Sequence, residues 1–230
     1  VAATVDEAIL SRRSVRAFAP TPVLRATVEE ILAVASRAPS GSNIQPWNVI
    51  VLAGQPLARI TRRMHEKVLR DGVDSLKREY EYYPVKWFEP YHGRRRKLGW
   101  SLYGLLGIGK DDKEKMVAYH ARNYLFFDAP VGMVFTIHRD LELGSWLDYG
   151  TFLQNIMLAA RGRGLDTCPQ FAIAVAHSIL EEELGIPPEQ QIVCGMALGH
   201  AAPEKVNELV TLREPPTAFA RFEGFADGGG

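Results

Sequence analysis

The chain has 230 residues, enough to bury roughly 70% of its unfolded surface in one domain or a tightly joined pair. Its 27 basic and 27 acidic side chains cancel, which argues against nucleic acid or an anionic membrane surface as a partner. No apolar run approaches the roughly 18 residues that span a bilayer, Val1 to Ala8 does not read as a signal peptide, and two cysteines are too few for a disulfide framework, so a cytoplasmic protein with reduced thiols is expected and a single bridge stays open.

Thr4-Val-Asp-Glu7 has the form of a capping box and opens a short helix expected to end near Arg12. Val28, Ile31, Leu32, Val34, Ala35 and Ala38 recur at helical spacing, and Pro39 stops that helix. Asn48 to Ala53 is a β-branched run that predicts a buried strand, with a helix following from Leu57 to about Leu69. Residues 71–112 mix charges with Tyr80, Tyr82, Tyr83, Trp87, Phe88, Tyr91, Trp100 and Tyr103 among glycines and prolines. That stretch is too apolar for a linker and too irregular for a sheet, and reads as a helical, aromatic-rich insertion or lid.

Regular structure returns with a helix over Glu114 to Phe127, a strand over Val131 to Ile137, and an apolar helix over Asp148 to Arg163. A short strand is expected near Thr167, a capped helix from Ser178 closed by Gly185 and Pro187, and a final core strand over Gln191 to Leu198. The segment Phe219 to Phe225 alternates without an obvious partner in the chain, and residues 226–230 read as a frayed tail. Strands separated by helices predict an α/β or α+β sheet covered on both faces, in one unit over residues 1–225.

Two segments carry the chemistry. Arg12-Arg13-Ser14-Val15-Arg16 crowds three cations and a hydroxyl into one short turn, and a guanidinium fork bonds two phosphate oxygens at once. Pro39-Ser-Gly-Ser-Asn43 follows a helix end with hydroxyls, an amide and exposed N–H groups, suited to the polar edge of a planar heterocycle. Taken singly, the first reads equally well as a solvated basic turn and the second as a helix stop.

Together the pair resembles the nitroreductase family of flavoproteins, in which an Arg-x-Ser-x-Arg/Lys turn and a Pro-Ser-x-x-Asn-x-Gln-Pro-Trp loop hold FMN. The likeness continues through Ala129-Pro-Val-Gly132, Gly164 to Gln170, Gly195-Met-Ala-Leu-Gly199 and Asn207 to Arg213, nearly the whole chain in order. It implies a nitroreductase-like α+β fold, with a mixed central sheet flanked by helices, in an intertwined homodimer. It implies further that Arg12, Arg13 and Ser14 bind the FMN phosphate and ribityl chain, with Arg16 at the pyrimidine edge. Pro39, Ser40, Gly41 and Asn43 would come from the other subunit, and Gly199 and Arg213 would be late phosphate contacts. Pro169 and Gln170 correspond to the segment passing flavin N5, where some members carry Glu-Gly. The implied activity is oxidation of NADH or NADPH and two-electron reduction of a small aromatic acceptor, a nitroarene or quinone. Enone reduction, dehalogenation, flavin breakdown and a non-catalytic flavin-binding module remain open alternatives. No catalytic triad is expected, because the cofactor carries the redox step.

Other signals are weaker. Gly104 to Lys110 begins like a phosphate loop, but Asp111 stands where Ser or Thr is required. The six histidines show no paired spacing, so no metal is expected, and Arg94 to Lys97 reads as a solvated face of the insertion. Glu181 to Glu183 reads as the polar start of a helix, and Trp87, Tyr91 and Trp100 are candidate substrate contacts by virtue of their flat rings.

Overall fold

The computed structural model describes residues 1–225; the expected frayed tail, residues 226–230, lies outside the described residues. Its centre is a sheet of four strands, β1 (Asn48–Ala53), β2 (Val131–His138), β3 (Asp166–Gln170) and β4 (Gln190–Gly199), in the spatial order β1-β2-β4-β3. These strands pair antiparallel, and the parallel component of the sheet is a single bridge between Ser14 and Thr167. A register shift between Phe135 and Thr136 lets β2 stay paired with β4 along its length. Pro169 sits in β3, an edge strand, where its missing N–H removes no ladder bond.

Both faces of the sheet are covered. Val131, Met133, Phe135 and Ile137 alternate along β2 toward one layer, made by α2 (Arg25–Ala35) and α6 (Leu143–Gly162). Val134 and, on β4, Ile192 and Ala197 face the other layer, made by α3 (Gly54–Asp71), α7 (Ala172–Val175) and α8 (His177–Leu184). Two glycines set how closely the layers approach. An ideal Cβ on Gly195 would lie 2.5 Å from Cγ1 of Ile173 on α7, and one on Gly132 would lie 2.8 Å from Cδ1 of Leu57 on α3.

The remaining helices are α1 (Val5–Ser11), α4 (Tyr91–Leu105) and α5 (Lys113–Ala121). The Thr4 capping box of α1 is present, with the Glu7 N–H donating to Thr4 Oγ1 at 3.2 Å and the Glu7 carboxylate accepting from the Thr4 N–H at 3.1 Å. Gly185 closes α8 in the left-handed conformation expected of it, at φ 62°.

Strand β1, expected to be buried, is an edge strand in which only Leu52 is buried, because it has a neighbour on one side alone. Several boundaries also differ from the sequence expectation, each for a local reason. Helix α2 ends at Ala35, because Pro39 disfavours helical geometry in the residue before it and the chain tightens into 3-10 turns over residues 36–38. Helix α3 begins at Gly54, since Pro56 falls in the first turn, where its missing N–H has no partner to lose. The helix expected over residues 114–127 stops at Ala121 and gives way to 3-10 turns over Arg122–Asp128. There Phe126 and Phe127 adopt positive φ, and both rings are buried in the core beside Tyr124. Helix α6 starts at Leu143, five residues early, which places Asp148 inside it. Ser178 caps nothing: α8 begins at His177, and Ala176, the last residue before it, already accepts the N–H groups of Ile179 and Leu180. The insertion is helical in a 3-10 turn over Val73–Ser75 and in α4, and no residue of α4 is fully buried.

The tight approach at Gly195 gives a direct check. Gly195→Ala should overpack the α7–β4 contact and destabilise the fold by about 1–3 kcal/mol. Thermal unfolding should then fall by about 2–4 °C for each kcal/mol, and an unchanged midpoint would contradict the packing described.

Candidate functional site

After α1 the chain runs extended, and the Val15 N–H donates to the Thr167 carbonyl at 3.0 Å. In extended backbone alternate residues share a side, which separates Arg12, Ser14 and Arg16 from Arg13, Val15 and Ala17. Val15 and Ala17 are buried, and the Arg13 Nη1 donates to the Asn207 carbonyl at 2.8 Å. So the three arginines of the turn do not share one side; Arg12 and Arg16 both lie near Cys168, while Arg213 lies near Arg12. Burial first, and then the neighbouring Arg213, hold the Arg12 guanidinium below its ordinary value. Among the described residues neither Arg12, Arg16 nor Arg213 is ion-paired, whereas nearby Arg161 holds Asp166 at 3.0 Å.

Asn207 fixes this cation group. Its Oδ1 accepts from the Arg16 N–H at 2.8 Å, and its Nδ2 donates to the carbonyls of Ala17 at 2.8 Å and Ala202 at 2.9 Å. The amide is buried, so each of these bonds replaces one to water that is no longer available. Gly199 ends β4 on the same side, opposite Asp166 in register, with no room for a Cβ, which would lie 2.7 Å from Cδ of Pro130. Cys168 lies against Arg12 and Arg16; burial pushes its thiol up to about 11 while the two guanidinium groups oppose the shift.

Three buried side-chain oxygens in this neighbourhood have no hydrogen-bond partner: Tyr119 Oη, Thr167 Oγ1 and Gln170 Oε1. Burial raises the Tyr119 hydroxyl to about 12 against the pull of Arg16, so it remains a donor at physiological pH. The Gln170 amide is turned inward, with Nε2 donating to the Asn123 carbonyl at 2.8 Å, while Pro169 is exposed. Clustered, uncompensated guanidinium groups next to unsatisfied polar oxygens suit an anionic ligand that carries its own donors and acceptors.

The second motif is held separately. Pro39 to Gln45 packs on the first half of α6, where the Asp148 carboxylate accepts from the Gly41 N–H at 2.9 Å and Thr151 Oγ1 donates to the Pro39 carbonyl at 3.3 Å. Ser40 Oγ accepts from the Gln45 N–H at 3.0 Å, and Trp47 stacks on Phe152 of α6 at 4.7 Å and 9°. Ser42, Asn43 and Gln45 sit at φ 50°, 56° and 49°. Left-handed geometry at non-glycine residues costs on the order of 1 kcal/mol or more each and clusters at binding sites. Asp148 and Asn207 were not foreseen as site residues. Asp148 is expected at a helix start, and Asn207 enters the sequence reading only as the first residue of the family-like segment Asn207 to Arg213, with no role of its own.

Within one chain the two motifs are far apart. The first lies by the end of α6, where Arg161 Nε donates to Ser11 Oγ at 3.0 Å, and the second lies by its start. From Asp148 to Arg161 the helix extends about 20 Å, at about 1.5 Å per residue. The ring-bearing candidates of the insertion also diverge. Tyr91 and Trp100 both belong to α4 and stand on opposite sides of it at about 3.6 residues per turn. Trp87 instead joins an aromatic group through Tyr83 at 5.3 Å.

The carboxylates of α8 are engaged elsewhere. Glu183 pairs with Arg59 at 2.9 Å and Arg63 at 2.7 Å, and Glu182 pairs with Arg63. Glu79, His177 and Glu181 gather their ligating atoms within 4.8 Å of one another, despite the lack of paired histidines in the sequence. Arg139 supplies positive charge to that group, 2.6 Å from Glu79 and 3.7 Å from Glu181. Both cysteines are free and buried, and burial pushes Cys194 up to about 12.

The thiol values have a measurable consequence. A thiol raised by folding supports the fold below the free-thiol value near about pH 8.5, and that support is lost as pH climbs through the folded value. The native protein should therefore release no colour from dithionitrobenzoate at pH 8, and the unfolded chain should react at both cysteines. Prompt reaction of a native thiol would contradict the burial of Cys168 and Cys194.

Comparison with known proteins agrees with this geometry. A family-wide sequence model described as the nitroreductase family matches residues 9–200. The chain is 42% identical over 221 residues to a 4-nitrobenzoate reductase of Pseudomonas putida, covering 96% of each. It is 44% identical over 219 residues to a chloronitrobenzene nitroreductase of Comamonas testosteroni, covering 95% of this chain and 96% of that one. Its fold superposes on the crystal structure of the FMN- and NADPH-dependent nitroreductase NfnB from sphigopyxis sp. strain HMH with TM-score 0.93 and 34% identity, covering 96% of this chain and all of that one. A second superposition, on the FMN-dependent nitroreductase NfnB of Mycobacterium smegmatis in complex with NADPH, gives TM-score 0.90 at 27% identity, covering 95% of this chain and 97% of that one. With the two motifs, the antiparallel sheet and the cation group in place, the chain belongs to the nitroreductase family.

Proposed function

We propose that this protein is an FMN-dependent reductase that oxidises NADPH and reduces nitroaromatic compounds. The single observation that carries the reading is the pair of half-buried cations Arg12 and Arg16, with the exposed Arg213 near Arg12, none of them paired with a carboxylate among the described residues. Mutual repulsion among such cations is relieved by a bound anion, and a phosphate monoester matches the guanidinium fork. Relatives named for nitrobenzoate and chloronitrobenzene, and structural neighbours described as FMN- and NADPH-dependent, support the same choice.

Each group then has a task. Arg12, Ser14 and Arg213 hold the phosphate end, while Arg13 is committed to the Asn207 carbonyl and braces the turn. Arg16, steadied by its N–H bond to Asn207, presents a fixed positive charge to the polar edge of the ring system. A guanidinium stays protonated throughout, so it favours negative charge on that edge without gaining or losing a proton. Gly199 permits close backbone approach, and Pro169 and Gln170 pass along the edge at which electrons enter and leave. FMN, when bound, supplies two-electron transfer from the nicotinamide to the nitro group.

The loop from Pro39 to Asn43 belongs to the same site through a second copy of the chain. The reach of α6 keeps it from the arginine turn of its own chain, and a twofold dimer places each loop beside the partner's turn. Leu143 and Leu147 on α6, together with Phe219, Phe222 and Phe225 near the C-terminus, are exposed apolar side chains that such a dimer would cover. The segment from Phe219 onward is assigned to wrapping the partner subunit.

The test is direct. Purified protein should carry bound flavin, and NADPH should bleach it under anaerobic conditions, with colour restored by a nitroarene. Donor and acceptor sharing one place above the cofactor should give parallel initial-rate lines. Intersecting lines would contradict the shared site, and protein that stays yellow with NADPH would contradict the reductase reading.

A further inference from the structure

A second group of polar side chains lies outside the candidate cofactor site, where the insertion meets the core. Glu79, near the start of the insertion, faces His177 and Glu181 on α8, and the ligating atoms of the three lie within 4.8 Å of one another. His177 and Glu181 are four positions apart, so α8 presents both on one face. All three side chains are at least two-thirds buried, and that of Glu79 is only 12% exposed.

Their contacts converge on one ring nitrogen. His177 Nδ1 lies 3.3 Å from Glu181 Oε1 and 3.9 Å from Glu79 Oε2. Glu79 Oε2 is buried and has no hydrogen-bond partner among the described residues, whereas Glu79 Oε1 accepts from Arg139 Nη2 at 2.6 Å. Arg139 is itself anchored at the edge of the group, its Nε donating to the Pro188 carbonyl at 2.6 Å and its backbone N–H to the Glu189 carbonyl at 2.8 Å. A proton on Nδ1 would serve Glu181 and still leave Glu79 Oε2 beyond hydrogen-bond range. With Nδ1 unprotonated, three acceptors face one another, and two carboxylates meet a single guanidinium. A buried acceptor left unpaired is costly, and one cation between the three atoms satisfies all of them.

Ligand chemistry selects the cation. Bonds of about 2.0–2.2 Å at tetrahedral angles place the ligand atoms of zinc about 3.3–3.6 Å apart. The His177–Glu181 separation already has that value, and Glu79 Oε2 reaches it with a shift on the order of half an ångström. An imidazole beside two carboxylates suits Zn²⁺ and its transition-metal neighbours better than Mg²⁺ or Ca²⁺, which take oxygen ligands.

We infer that Glu79, His177 and Glu181 form a binding site for a divalent transition metal of the zinc class, which clamps the start of the insertion onto α8. Three protein ligands leave a further position for water. Arg139 holds the two carboxylates together without the metal and opposes it by charge. The clamp adjoins the anchor of the insertion, since Tyr80 donates its hydroxyl to the Val193 carbonyl and packs edge-on against Trp146 at 4.8 Å. Metal binding therefore steadies the segment from which Tyr82 stacks on Phe171, the residue after Gln170. The site is independent of the reductase reading. It also departs from the expectation drawn from histidine spacing, because two of its ligands are carboxylates and one comes from a distant segment.

The experiment titrates tag-free, chelator-stripped protein with Zn²⁺ by calorimetry, unaltered and as Glu79→Gln, His177→Gln and Arg139→Gln. The unaltered chain should take up one equivalent. Glu79→Gln and His177→Gln should each weaken that uptake about tenfold or more, since even the loss of a residue that only supports a ligand costs about 10–100-fold. Arg139→Gln should bind Zn²⁺ more tightly than the unaltered chain, and Zn²⁺ should restore the thermal midpoint that this variant loses. Ca²⁺ should produce no comparable uptake. Trypsin cleavage after Lys77 and Arg78, both exposed and next to Glu79, should slow about tenfold with Zn²⁺ bound, because local opening must then break the metal contacts. Should His177→Gln or Glu79→Gln fail to fold, the Arg139→Gln titration and the trypsin rates still decide. No uptake by the unaltered chain, or uptake indifferent to Glu79 and His177, would overturn the inference. So would an Arg139→Gln protein that loses stability without gaining affinity for Zn²⁺, which would make the group an ion-pair network only.

Discussion

A single stiff helix sets the logic of the whole site. Helix α6 runs for 20 residues beside α2 on one face of the sheet, with one candidate binding segment fastened near each end. Asp148 and Thr151 hold the Pro39 loop at its start, and Arg161 ties the end of α1 to its last turn. A helix cannot shorten to bring the two segments together, so one chain cannot close both around one ligand. In the proposed dimer a second copy is therefore part of the binding site and not an accessory to it. Exposed Leu143 and Leu147 on that helix fit an element whose outer surface is covered by another molecule.

Electrostatics supplies the second half of the account. A soluble protein ordinarily pairs its half-buried cations, as this one does at Arg161–Asp166 and Arg63–Glu183. Leaving the half-buried Arg12 and Arg16 without carboxylates, with Arg213 near Arg12, is unfavourable in isolation and would become favourable once an anion arrives. Asn207 makes the arrangement rigid, since its buried amide makes three hydrogen bonds, two of them to the arginine segment at Arg16 and Ala17 and one to Ala202. Cys168, pressed against the same cations yet raised to about 11, contributes shape to this site and no thiolate chemistry.

Much of this was legible in the order of residues, and the rest failed for identifiable reasons. The Thr4–Glu7 cap, the β-branched strands and the Gly185 stop are local devices, and each appears where expected. Taken singly the two motifs read as a basic turn and a helix stop, and it was their resemblance together to one family that marked them as candidate cofactor segments. Arg13 could not be told from Arg12 until the extended backbone separated their sides. Asp148 and Asn207 act across 107 and 191 positions, so no neighbouring residue announces them. The helix expected over 114–127 broke because burying Phe126 and Phe127 outweighed the cost of left-handed backbone, a tertiary effect invisible to periodicity.

The most direct measurement is subunit complementation. One chain would carry Arg12→Ala with Arg16→Ala, its partner Pro39→Ala with Asn43→Ala, and each homodimer alone should fail to retain flavin. In the mixed dimer, the intact turn of one chain meets the intact loop of the other, so one site in two should regain FMN. Recovery of flavin at one equivalent per mixed dimer is the predicted result. Mixed dimers that form yet stay colourless would mean that each site is built within a single chain.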